Sequence, residues 1–259
     1  MPHISFSELR NWVQCPFYHK LTYVDRITEF EGNEFTAFGK AIHSTCEKLV
    51  EEKKNNGAKQ YFSEQFEKEL SDLINKNVDL KQDLVTSMEE QGAIIVDMIL
   101  PAVDEYLGDY TVISSEELLK VPIGLEASED YLFKGFVDLV VKTSDGKYHI
   151  IDWKTCGWGW DARKKAEPMV TYQLTLYKHY FAKKHNLDPK NIETHFALLK
   201  RTAKKNIVEI FRVTSGPKKT DNALKLLNKA LYNISRKKYI KNRLSCGRCE
   251  FNNTKHCTR

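Results

Sequence analysis

Nowhere in the 259 residues is there an apolar run near the roughly 20 positions that a membrane-crossing helix needs. A protein that spans a bilayer by helices is therefore not expected. The first residues, Met1-Pro2-His3-Ile4-Ser5, lack the basic-then-apolar layout of a secretion signal, so the expected location is cytoplasmic. No Gly-x-x-x-x-Gly-Lys-(Ser/Thr) loop occurs, which excludes a nucleotide-driven motor built into this chain. Internal repeats and low-complexity segments are absent as well. With only 12 glycines and 7 prolines, no stretch reads as a flexible tail.

What is present is an uneven charge. Residues 1–182 hold 20 Lys and Arg against 30 Asp and Glu, whereas residues 183–259 hold 20 against 5. The final third is therefore strongly basic. Either it faces phosphate backbones or it is a solvated Lys-rich surface. There are six cysteines, Cys15, Cys46, Cys156, Cys246, Cys249 and Cys257. Without a secretion signal, disulfides are not expected, and the tight group at 246–257 favours a metal.

The pattern of apolar residues predicts helices over 5–24, from about Phe38 to Gly57, over 61–76 and over 85–107, with Pro101 bending or splitting the last. Strands are predicted over 111–123, 131–142 and 148–154, with a hairpin turn at Ser144-Asp145-Gly146-Lys147. A helix opening at Pro168 should carry Gln173, Tyr177 and Phe181. Two further strands (192–200 and 207–213) and a basic helix (221–239) precede the cysteine tail. The fold class is α/β, a core sheet flanked by helices. The expected organisation is a single domain over 1–259, with a helical elaboration (1–110), a catalytic core (111–215) and a basic helix with cysteine tail (216–259).

The chemistry concentrates on the hairpin. Asp138 lies within Phe136-Val-Asp-Leu-Val-Val141, and Asp152 follows Ile150-Ile151. The turn is midway between them, so antiparallel pairing brings the two carboxylates together. Charges inside apolar strands are costly unless paired or bound to a cation, and two converging carboxylates repel. A divalent ion relieves both problems, and hard oxygen ligands favour Mg²⁺ or Mn²⁺. Lys154, two residues beyond Asp152, points to the same side, where it could polarise a phosphate or help deprotonate water. Taken alone, an Asp-x-Lys tripeptide is common, and Asp152 and Lys154 read better as a plain ion pair.

Lys134-Gly-Phe-Val-Asp138 followed by Ile150-Ile-Asp-Trp-Lys-Thr155 resembles the core of RecB-like PD-(D/E)XK nucleases. Three further segments are similar in the same order: Gly39-x-x-x-His43, Gln173-x-x-x-Tyr177, and Ser5-x-Ser-x-Leu9 leading to Cys15-Pro16. Each is weak alone, and together they span nearly the whole chain. The resemblance implies metal ligation by His43, Asp138, Asp152 and the Trp153 carbonyl. It makes Lys154 the catalytic lysine, with Gln173 and Tyr177 at the same site. Glu116 or Glu117 is a further candidate, since the family often has a glutamate on that strand. It also implies that Cys15 joins Cys246, Cys249 and Cys257 around a [4Fe–4S] cluster, as in the CRISPR-associated and AddB-type nucleases. A four-thiolate zinc site, or one using His256, is the alternative. Cys46 reads as a small buried apolar residue, and Cys156 has no positioned base that would make it a nucleophile.

The expected activity is a Mg²⁺- or Mn²⁺-dependent DNA exonuclease acting on single strands or DNA ends. Its setting would be recombination, repair, phage DNA metabolism or CRISPR adaptation, with a helicase or recombination partner and an oligomer both compatible. Lys200, Arg201, Lys218 and Lys219 are the expected nucleic-acid contacts, with Trp158, Trp160 and Tyr172 as candidates for base stacking. Two other readings stand beside it: a non-catalytic nucleic-acid-binding subunit, and an RNA-processing nuclease stapled by zinc.

Overall fold

Apolar residues recur along the chain first at helical and then at alternating spacing, and the elements follow that change. The computed structural model describes residues 1–125 and 130–258. A short strand, β1 (His3–Ser5), runs directly into α1 (Phe6–Gln14), then α2 (Pro16–His19) and a π-helical turn (Lys20–Val24). Three long helices follow, α3 (Glu34–Glu52), α4 (Ala58–Asn75) and α5 (Gln82–Leu107). Next come β2 (Tyr110–Pro122), β3 (Leu132–Thr143) and β4 (Tyr148–Cys156). After α6 (Ala162–Ala166), α7 (Pro168–His185) crosses over to β5 (Ile192–Lys200). The chain then forms β6 (Val208–Val213), α8 (Pro217–Ser235) and a 3-10 turn at Arg243–Arg248.

Several boundaries differ from the sequence reading, each for a local reason. The helix expected over 5–24 breaks at Cys15, which is extended (φ −163°, ψ 114°) because it precedes Pro16. The helix expected from Phe38 starts at Glu34, where Asn33 and Thr36 form a reciprocal capping box. Pro101 lies inside α5, which runs unbroken around it. The basic helix expected at 221–239 lies earlier, opening at Pro217 as its first residue. Residues 3–5, assigned to the helical block, are a strand of the sheet.

Strand β3 is the centre of the sheet. One edge carries β2, antiparallel, along the whole strand. The other edge is shared. β1 runs parallel to residues 132–134, and β4 runs antiparallel to residues 139–142. Between them lies a stretch, residues 135–138, in the ladder of neither. β5 lies parallel to β4, reached through α6 and α7, and β6 closes the sheet antiparallel to β5.

Helices cover both faces. On one side Phe6 and Leu9 of α1, Leu174 and Tyr180 of α7 and Leu227 of α8 pack on Val137, Ile150 and Phe196. On the other side Phe38 and Ile42 of α3, Phe62 and Phe66 of α4 and Val96 of α5 pack on Ile151, Trp153 and Leu199. Gly92 of α5 makes the second face tight, because a Cβ there would lie 2.1 Å from the Phe62 ring. Among the described residues no helix is long and apolar enough to cross a membrane.

Candidate active site

The site forms where β4 parts from β3. Val137 and Val140 belong to one core and Leu139 and Val141 to the other, so the two-residue alternation slips at Asp138. The freed Trp153 N–H donates to Asp138 Oδ2 at 2.8 Å. A carboxylate thus takes the place of the missing ladder partner. Across β3, Glu116 sits between the pairs Ser115–Leu139 and Glu117–Val137, which puts it opposite Asp138. A register shift between Val112 and Ser114 and a left-handed φ of 46° at Glu116 disturb the strand there.

His43 reaches the same point from α3. Its Nδ1 is 3.6 Å from Asp138 Oδ2, too far for a hydrogen bond and close enough for both to reach one ion. Ligand atoms of His43, Glu116 and Asp138 all lie within 4.8 Å of one another. Of the two glutamates considered from sequence, Glu116 is therefore the one at the site. Glu117 is committed elsewhere, to Lys184 at 2.7 Å and His185 at 2.6 Å.

Asp152 is almost wholly buried beside this group. Its Oδ1 accepts from Gln173 Nε2 at 2.7 Å, and the same amide lies 3.4 Å from the Tyr177 hydroxyl. Its Oδ2 ion-pairs with Lys154. Tyr177 fits closely over β3 because residue 135 is glycine; a Cβ there would come within 2.8 Å of its ring.

Burial sets the charges. It raises the Asp138 carboxyl well above the usual carboxylate range, and the neighbouring Asp152 raises it further. Glu116 is raised by burial, then by Glu47 and Asp152. His43 is pushed down to about 4 by burial and by the Lys154 ammonium, so at neutral pH it is the uncharged imidazole that a metal can bind. For Lys154 burial acts downward, but Asp152 and Asp138 outweigh it and hold the ammonium above its ordinary value. Crowded carboxylates and a neutral imidazole are what a divalent cation would satisfy.

The thiols also converge. Cys15, Cys246, Cys249 and Cys257 line one cavity between α1–α2 and the tail. Burial raises the Cys249 thiol, and the other three add to it. The tail is docked by ordinary contacts too. Tyr18 donates to Glu250 at 2.8 Å, and the Asn242 side chain donates to Gln14 O at 2.8 Å. Cys46 is fully buried on α3, and Cys156 is half-buried.

The expected phosphate-binding residues differ in exposure and in partners. Lys200 is buried and bonds Glu209 at 3.1 Å. Arg201 donates to Gln91 at 3.1 Å and lies over Phe35 and Phe38. Lys218 is exposed at the start of α8, while Lys219 donates to Thr214 O at 3.0 Å. Trp158 is 80% exposed, and Trp160 stands edge-on to Phe196 at 5.1 Å. Sequence reasoning missed Arg10 and Lys164, which line a cavity shared with Lys154 and Gln173. The available signal was their place, one inside the Ser5–Cys15 segment and one in the Arg163-Lys164-Lys165 run.

Sheet topology and the placement of the carboxylates define the class, a nuclease fold of the divalent-metal kind. The chain belongs to the PD-(D/E)XK nuclease superfamily, whose pattern matches residues 3–254. It is similar in structure to a provisionally described exonuclease of Eubacterium rectale. That likeness has a TM-score of 0.60 and 13% identity, over 97% of this chain and 88% of the other, and it concerns the fold. A second structure, that of SSO0001, aligns over 95% of this chain and 93% of its own, with 15% identity and a TM-score of 0.36. No curated protein matches the sequence.

Proposed function

We propose that the chain is a Mg²⁺- or Mn²⁺-dependent DNA exonuclease that hydrolyses phosphodiester bonds in single strands or at DNA ends. The observation that carries this reading is the convergence of ligand atoms of His43, Glu116 and Asp138 within 4.8 Å of one another, next to the buried Asp152 and its ion pair with Lys154. Those four side chains, with the Trp153 carbonyl, would hold the ion. When bound, it would lower the pKa of a coordinated water and neutralise charge on the phosphate.

The chain's own residues do the rest. Lys154, held as an ammonium, is suited to placing positive charge beside a phosphate oxygen rather than to taking a proton. Gln173 fixes the Asp152 carboxylate, and Tyr177 supports Gln173. The Trp153 N–H fixes Asp138. Asp138 and Asp152 are thus each oriented by a second group, which preorganises these two ligands before an ion or substrate arrives.

The four cysteines would hold a [4Fe–4S] cluster, with zinc as the alternative occupant. Their shared cavity and all-sulfur donor set suit either. The reading further takes the chain as one cytoplasmic domain working in recombination, repair, phage DNA metabolism or CRISPR adaptation, beside a helicase or recombination partner.

The test is anaerobic purification, a visible spectrum, and cleavage of labelled single-stranded DNA with Mn²⁺ by wild type and Asp152→Ala. Brown protein whose cutting is lost with Asp152→Ala or EDTA is the expected outcome. Colourless protein that cuts moves the thiols to zinc. No cleavage of DNA or RNA with either ion would leave a binding subunit as the better reading.

A further inference from the structure

A cavity of about 360 Å³ opens beside the carboxylate centre, between α1, the end of β4, the loop after it and the start of α7. Its lining includes Lys154 and Gln173, both in direct contact with Asp152. The cavity therefore begins where hydrolysis is proposed to occur. Its size is within the range of sites that hold small flat molecules, about 300 to 1,000 Å³.

The lining has two chemistries. The floor is apolar and aromatic, with Phe6, Phe196, Trp160 and Met169. Trp160 is held edge-on to Phe196 at 5.1 Å and to Phe211 at 6.3 Å. The charged lining is Arg10, Lys154 and Lys164 against one carboxylate, Glu167. Lys164 lies 4.7 Å above the Trp160 ring, and Arg10 makes no hydrogen bond or ion pair among the described residues. A flat apolar group tethered to an anion matches both surfaces together. In a substrate cut at phosphate, that group is a nucleobase.

We propose that this cavity receives the unpaired base of the nucleotide on one side of the scissile phosphate, with Arg10 and Lys164 meeting the backbone phosphates beside it. The proposal rests on the nuclease reading and deepens it by naming the substrate as an unpaired strand. A base held in a duplex is stacked and paired, and must leave the stack to enter a pocket. Aromatic side chains accept any base by its flat face, so recognition is of an unpaired base rather than of a sequence.

Single strands carrying one abasic residue at successive positions test it. In wild type with Mn²⁺, cutting next to the abasic residue should slow about 10- to 100-fold when that residue lies on the cavity side of the bond, and not when it lies on the other. Met169→Trp, which fills the cavity, should cut ordinary strands more slowly and lose the difference. A second readout needs no cutting: 2-aminopurine walked through the same strands, with Ca²⁺, should change fluorescence at one position in wild type and at none in Met169→Trp. Strands cut equally beside normal and abasic residues would overturn the cavity's role and leave the nuclease reading standing. A position-specific 2-aminopurine signal from a protein that cuts no strand with Mn²⁺ would do the reverse. Uniform fluorescence at every position would also overturn the proposal.

Discussion

Glu116 shows what one residue in an unusual conformation contributes. It stands opposite Asp138 with a left-handed φ of 46°, and its carboxyl is raised by burial and by its acidic neighbours. Repulsion of this kind persists only if something at the site relieves it. Glu116→Gln removes one charge and keeps the shape. Calorimetric titration with Mn²⁺ should show affinity reduced by about 10- to 100-fold with the fold intact. Unaltered affinity would remove Glu116 from the ligand set. His43, Asp138, Asp152, Lys154, Gln173 and Tyr177 were identifiable in the sequence because each belongs to a short motif, and the fold brings them together. The choice between Glu116 and Glu117 was not identifiable, since the register shift in β2 overrides the alternation that would have decided it. Lys200 sits next to Arg201 in a basic pair, yet it ends β5, in which every residue but Glu193 is buried, and spacing alone did not show that.

Among the elements, β4 and β5 are joined by more than their ladder. His149 Nδ1 and His195 Nε2 lie 3.0 Å apart, with Thr143 Oγ1 at 3.0 Å from the outer nitrogen of the first and the Tyr106 hydroxyl at 3.1 Å from that of the second. Burial lowers both imidazoles, His195 to about 3 with His149 and Arg212 assisting. In the unfolded chain each titrates near its ordinary value of about 6.5. The unfolded state therefore takes up these protons first as pH falls. Stability from the pair is complete above about pH 6.5 and is lost as pH drops towards 3. Thermal melts between pH 7 and 4 should show this decline, and His149→Gln with His195→Gln should flatten it. A slope equal in the two proteins would contradict the assignment. Most elements were legible from apolar spacing, including β5, which matches the predicted 192–200. The misses were elements too short to have a period, such as β1, and boundaries fixed by side-chain caps, such as Asn33 with Thr36.

At the scale of the whole molecule, Cys15 and the tail lie together although about 230 residues separate Cys15 from Cys246. The sequence offered the cysteine spacing. It did not offer the Tyr18–Glu250 and Gln14–Asn242 bonds, which depend on folded surfaces meeting. If the thiols hold one metal group, Cys15→Ser should lower iron or zinc content, measured by elemental analysis, and lower the melting temperature. Such sites contribute folding free energy directly. Equal metal content and equal melting in the two proteins would argue that polar contacts alone dock the tail.

Helix α1 is nine residues long and is fixed at both ends. Ser5 ends the strand that pairs with β3, and Cys15, one residue past the helix, sits among the tail thiols. A rod pinned at two points cannot pivot, and this one carries Phe6 and Arg10 along the wall of the cavity beside Asp152. Without the Cys15 end, the helix would keep only its strand, its core contacts and the Gln14–Asn242 bond. If the thiols hold one metal group, its loss would therefore loosen the cavity wall before it disturbed the carboxylates on β3 and β4, which the sheet holds.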